Sequence, residues 1–172
     1  ISVGKSSGVS TTVRLSNVET LQYHLDTSFN VSVYIGKNKG QATSVDLSKV
    51  SLKNAIESAC LIAKYTQEDP FNGLAPSERM AWDRPNLDLY YPWNLDANKS
   101  IEIAKECEQI ALEQSEINNS DGAELSSFEG ESVYANSNGL IANLKSSKHS
   151  LYCSLIAKRG DEMQTAYEYS VA

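Results

Sequence analysis

The sequence predicts an α+β fold, antiparallel sheets of strands with two amphipathic helices packed on them. Three observations carry this expectation. Residues 1–47 and 117–172 are dominated by the two-residue alternation of strands. Asp46–Thr66 and Asp96–Glu116 instead place apolar residues at helical spacing. The order is strands, helix, connector, helix, strands, and such segregated blocks distinguish α+β from alternating α/β chains.

In the first block, Val3–Arg14 is rich in Ser, Thr and Val. Asn17–Asp26 sets Val18, Thr20, Gln22 and His24 against Glu19, Leu21, Tyr23 and Leu25. Asn30–Ile35 sets Val31, Val33 and Ile35 against Ser32 and Tyr34. Gly36-Lys37-Asn38-Lys39-Gly40 reads as a turn, because Gly and Asn tolerate positive φ. An antiparallel meander with one wet face follows.

The first helix has Ser48 as N-cap and a stripe of Leu52, Ala55, Ile56, Ala59, Cys60 and Ala63. Residues 67–95 hold all four prolines, Pro70, Pro76, Pro85 and Pro92, and both tryptophans, Trp82 and Trp93. Proline opposes helix and ladder alike, so this is an irregular connector, and its aromatic content predicts that it is packed down. The second helix has Asp96 as N-cap and a stripe of Ala97, Ile101, Ala104, Cys107 and Ala111. Beyond it, Val133–Ala135, Leu140–Leu144, Ser150–Ala157 and Met163–Ser170 read as strands. Asp121-Gly122, Asn138-Gly139 and Lys158-Arg159-Gly160-Asp161 read as turns. The predicted domains are 1–68, a sheet plus helix; 69–95, the connector; and 96–172, a helix followed by a hairpin meander. Ser32-Val33-Tyr34 and Ser132-Val133-Tyr134 echo one another, as a common hairpin sequence does by chance.

Composition excludes several function classes. The net charge is −7, from 15 basic and 22 acidic residues. Lys37, Lys39, Lys49, Lys53 and Lys64 are dispersed, so no basic stripe is available to nucleic acid. The longest apolar run, Ala59–Ala63, falls far short of the ~20 residues of a membrane span. No signal-peptide pattern opens the chain, and Ile1 lies in a strand pattern without an initiating Met, so the natural start is expected upstream. Cys60, Cys107 and Cys153 are too scattered for a disulfide framework and read as buried thiols.

The search for chemistry assigns no catalytic, cofactor-binding or metal residue. The two histidines, His24 and His149, are far apart, and no HExxH or HExxxH helix exists. No nucleophile elbow of GxSxG type, phosphate loop or dinucleotide fingerprint is expected. His149 and Cys153 share a strand face but lie about 13 Å apart at ~3.3 Å per residue, too far for a nucleophile–base pair. Glu102 and Glu106 share a helix face, where a solvated surface is the ordinary reading, and Asp161-Glu162 is a turn pair. Long strands, acidity and no visible chemistry suit a binding or assembly module, whose sheet edges can accept an extended peptide.

Several runs carry a resemblance. These are Ser44-Val45-Asp46-Leu47-Ser48, Ile62-Ala63-Lys64-Tyr65-Thr66, Glu68-Asp69-Pro70, Gly73-Leu74-Ala75 and Asn86-Leu87-Asp88-Leu89-Tyr90. Further on come Asn119-Ser120-Asp121-Gly122-Ala123, Asn136-Ser137-Asn138-Gly139, Lys148-His149-Ser150-Leu151 and Gly160-Asp161-Glu162-Met163-Gln164. Their order and spacing resemble the TldD/PmbA family, in its PmbA (TldE) branch, over essentially the whole chain. The resemblance implies a cytoplasmic protein of bacteria or archaea, much longer than 172 residues. It implies a heteromeric metalloprotease with a TldD-like subunit, acting on peptide leaders and unfolded polypeptides. It implies zinc on an HExxxH helix of that partner, with no cofactor in this chain, no nucleic acid and no membrane. The chain would match the N-terminal domain and much of the central region. It departs from the family in lacking the helix expected before Ile1 and the C-terminal half. Gln164-Thr165-Ala166-Tyr167 also stands where a more charged pattern is usual. Two other readings stay open: a protein that is itself a metallopeptidase with ligands beyond Ala172, or a stand-alone interaction domain.

Overall fold

Strand length is the first thing the structure changes. The computed structural model describes Ile1–Ala172. Its elements are β1 (Ser2–Arg14), β2 (Asn17–Ile35), β3 (Asn38–Ser44), α1 (Lys49–Tyr65), α2 (Ala97–Leu112), β4 (Ile117–Ala135), β5 (Ile141–Arg159) and β6 (Glu162–Val171). They form the predicted α+β architecture, an antiparallel sheet in the order β3-β2-β1-β4-β5-β6 with two helices.

The two strands expected at 17–26 and 30–35 are one strand of 19 residues. Thr27-Ser28 breaks the alternation, but lateral pairing holds the backbone extended: Phe29 lies opposite Ser44 and is buried. In the same way 140–144 and 150–157 join into β5 through the polar run Lys145–His149. Asp121-Gly122 is no hairpin turn but lies inside β4. Gly122 has φ +115°, and a Cβ there would sit 2.6 Å from the Val13 carbonyl oxygen. Gly122 and Ala123 are both buried, so the alternation slips by one residue, as at a β-bulge. The turns around Gly36, Asn138-Gly139 and Gly160 fall where the sequence put them.

The residues form two compact units. The first contains Ile1–Ser6, Asp26–Leu89 and Gly130–Lys145. Its core is Phe29, Val31, Ala55 and Ala59, with Val3, Val33, Ala42 and Leu52 against it. Helix α1 starts where Ser48 Oγ accepts the Ser51 N–H, and the Asp46 carboxylate takes the Ser48 N–H and both serine hydroxyls. It buries the small stripe Ala55, Ala59 and Ala63, while Ile56 stays exposed and Cys60 half-buried. Small residues are required because α1 rides on Gly40 of β3: a Cβ there would lie 2.0 Å from the Ala59 carbonyl oxygen. In the connector, Asp69 N–H and Asn72 Nδ2 donate to the Lys37 carbonyl, and Trp82 Nε1 donates to the Ser77 carbonyl.

The second unit contains Ser7–Leu25, Tyr90–Glu129 and Ser146–Ala172. Val13, Ala104, Ala123, Leu125 and Cys153 form its core, with Cys107, Ala111, Leu151 and Leu155 packed on them. Asp96 caps α2 by accepting the Lys99 N–H at 2.9 Å. No helix is long and apolar enough to cross a membrane.

Candidate functional site

The most buried line of α2 is Ser100, Ala104 and Glu108, at i, i+4 and i+8. Two of these are polar, which the apolar stripe did not anticipate. Ser100 Oγ donates to the Ala97 carbonyl and is bonded at 2.6 Å to Thr11 Oγ1 of β1. Glu108 is fully buried. Its Oε1 accepts the Leu15 N–H and its Oε2 the Ser16 N–H, both at 2.8 Å. Leu15 and Ser16 turn β1 into β2 with φ of 47° and 64°. Positive φ at both central positions is normally supplied by Asn and Gly. Here a buried carboxylate holds Leu-Ser in that shape. Burial raises the Glu108 carboxyl pKa. Hydrogen bonds from the Ser120 hydroxyl and the Ser16 and Leu15 N–H groups, with the Arg14 charge, outweigh it and leave the group below its ordinary value. This carboxylate stabilises a turn, and no sequence signal beyond its place at i+4 from Ala104 marked it.

A recess of about 810 Å³ lies beside the end of α2 and is lined by Cys107, Ile110, Ala111, Leu155, Tyr167 and neighbours. Cys107 and Cys153 meet here, packed in the same core cluster. Burial, reinforced by Cys107, pushes the Cys153 thiol up to about 11, and burial likewise raises Cys107. Both are therefore protonated near neutrality and poor nucleophiles. The recess can bury an apolar segment, and the carboxylates in its lining are Glu116 and Glu168.

A second, polar recess of about 200 Å³ opens at the other end of α2, between β1, β4 and the residues leading into the helix. His149 forms part of its wall. Its Nε2 lies 2.8 Å from the Tyr91 carbonyl, which can only accept, so Nε2 carries hydrogen. In the neutral ring Nδ1 then accepts the Ser127 hydroxyl at 2.9 Å. Trp93 packs edge-on against the imidazole, 5.5 Å between centroids. His149 and Cys153 are thus not partners, as the strand spacing required. His24, in the same unit, bonds Ser10 Oγ at 3.0 Å and packs on Phe128 at 5.1 Å.

Glu102, Glu106 and Asp161-Glu162 line neither recess. Glu102 and Glu106 are exposed, and Glu102 pairs with Lys99 at 3.0 Å on the surface. Gly4-Lys5-Ser6-Ser7-Gly8 has the GxSxG spacing. It is no elbow, however, because it lies inside β1 and not at a strand-to-helix turn. A zinc ion does not fit these residues. Both nitrogens of His149 are engaged, and no three His, Cys, Asp or Glu side chains converge.

Comparison with known proteins decides the ancestry. Residues 1–63 match the profile described as PmbA/TldA metallopeptidase domain 1, and residues 90–171 that of the PmbA/TldA metallopeptidase central domain. The chain belongs to the PmbA/TldD family. Within this family it is 42% identical over 173 residues to the metalloprotease PmbA homolog of Haemophilus influenzae, covering 100% of this chain and 38% of that protein. It is 34% identical over 172 residues to metalloprotease PmbA of Escherichia coli O157:H7, covering 99% and 38%. The chain therefore spans 38% of the length of these curated PmbA relatives. Crystal structures show the same fold. A Bacteroides thetaiotaomicron protein described as a candidate modulator of DNA gyrase has a TM-score of 0.86 at 24% identity, over 99% of this chain and 39% of that one. TldE from Thermococcus kodakarensis has a TM-score of 0.79 at 16% identity, over 99% and 38%.

Proposed function

We propose that this chain is the domain 1 and central-domain portion of a TldE-type subunit in a TldD/TldE metalloprotease system. It contributes surface to the substrate cavity and contacts to a TldD-like partner in the bacterial cytoplasm, and the zinc resides on that partner. The substrates in this reading are peptide leaders and unfolded polypeptides. The observation that carries it is the likeness to PmbA proteins along the whole chain. In support, titratable groups gathered around α2 are committed to structure: Glu108 to a turn, His149 to Ser127 and Tyr91, and the thiols to the core.

Co-purification tests this reading. The intact protein, expressed with a TldD-like subunit, is expected to form a stable complex that cleaves peptide, and the intact protein alone is expected to do neither chemistry nor zinc binding. A second reading has its own support, since the bacterial relatives are named metalloproteases. In it the intact protein is a metallopeptidase whose ligands follow residue 172. Stoichiometric zinc and peptide cleavage by the dialysed protein without a partner would replace the first reading by the second.

A further inference from the structure

The polar recess has a chemical character that its role as a helix-end cavity does not explain. It is lined by Tyr23, Trp93, Ser127, Glu129 and His149, with the start of β1. Glu129 is the one carboxylate in the lining, and no lysine or arginine lines it. Ser127 and the imidazole are bonded to each other, and Nε2 is committed to the Tyr91 carbonyl, so both nitrogens of His149 are engaged away from the carboxylate. Glu129 is half-buried and is held by the Tyr90 hydroxyl, which donates to Oε2 at 3.0 Å. The positive end of α2 does not compete either, because Asp96 caps it.

Two aromatic rings complete the recess. Trp93 and Tyr23 keep 41% and 70% of their surface exposed. Exposed indole and phenol rings beside a fixed carboxylate form the environment that attracts an organic cation, through the ring quadrupole and the opposite charge together. A volume of about 200 Å³ is below the ~300–1,000 Å³ of a cavity for a whole small ligand. It is the size for one long side chain entering from outside.

We propose that this recess is a specificity pocket for a basic side chain, lysine or arginine, of a bound peptide. The ammonium or guanidinium would sit at Glu129, with its aliphatic stem against Trp93 and Tyr23. The inference rests on the peptide-binding role proposed above for this protein.

The test measures binding to the intact protein of two short amidated peptides that differ only in one lysine or its uncharged isostere norleucine. Nα-acetyl-lysine amide serves as a free-cation probe. The lysine peptide is expected to bind about tenfold more tightly than the norleucine peptide, and less so at high salt. Glu129→Gln, which can still accept from Tyr90, is expected to abolish the difference. Trp93→Leu is expected to reduce it with Glu129 intact. Equal binding of the two peptides, or a preference untouched by Glu129→Gln, overturns the pocket and leaves peptide binding standing. Binding of Nα-acetyl-lysine amide that depends on Glu129, with no binding of either peptide, supports the pocket and overturns the peptide role. No binding of any probe overturns both.

Discussion

The Glu108 side chain accepts the backbone N–H of Leu15 at 2.8 Å from a fully buried position, and its second oxygen takes the next N–H in the same turn. A carboxylate is the group for this task, because it accepts from two adjacent donors at once and charge-assisted bonds are the stronger kind. Replacing it should be costly. Glu108→Ala leaves two N–H groups without an acceptor and is expected to destabilise by roughly 3 kcal/mol. Glu108→Gln keeps one acceptor, turns an amide donor toward an N–H, and should fall between. Urea unfolding of the three proteins checks the order.

The same carboxylate sets an acid limit. Its folded pKa lies below the ordinary 4.5, so its contribution is fully present above that value and is lost as pH falls through the lower, folded one. The wild-type protein is expected to lose stability more steeply below about pH 4.5 than Glu108→Gln does, with the two curves converging in acid. Thermal melts across that range measure the difference. Parallel curves would show that Glu108 is not the group titrating.

Two glycines fail for opposite reasons when replaced by alanine. At Gly40 the new methyl would meet the Ala59 carbonyl oxygen at 2.0 Å, so α1 must lift from β3. About 3 kcal/mol is expected. At Gly139 the surroundings are open but φ is +92°, so the cost is backbone strain of about 1 kcal/mol. Comparing the two melting temperatures separates packing from conformation.

Cys153 should resist alkylation. A thiol raised from 9.0 to about 11 has a thiolate fraction about a hundredfold lower at a given pH below both values. Iodoacetamide at pH 8 is expected to label Cys153 far more slowly in the native protein than in urea. Mass spectrometry of the cysteine peptides reads both rates.

The helices and their caps were legible because their signals are local. Ser48 and Asp96 are the caps, and Ala55, Ala59 and Ala104 are buried at the predicted phase. Strand lengths were less legible. Thr27-Ser28 and Lys145–His149 look like interruptions one residue at a time, yet they are extended as parts of long strands held in the sheet. Asp121-Gly122 carries a hairpin dipeptide, but its glycine serves the close approach of the Val13 carbonyl. The polar recess was hidden for a similar reason. Trp93, Glu129 and His149 belong to three segments that only the sheet order brings together. Their residue types alone carried no spacing that sequence could recognise.

The clasp on the β1–β2 turn also has a consequence in time. The residues it joins are 93 positions apart. During synthesis at ~5–20 residues per second, the hairpin leaves the ribosome roughly 5 to 20 s before the carboxylate that completes its turn. For that interval the leucine and serine at positive φ have only local support, such as Asn17 Nδ2 donating to the Leu15 carbonyl. The full set of bonds on the turn is completed only when α2 arrives, so the first hairpin in the chain is finished by a late-made helix.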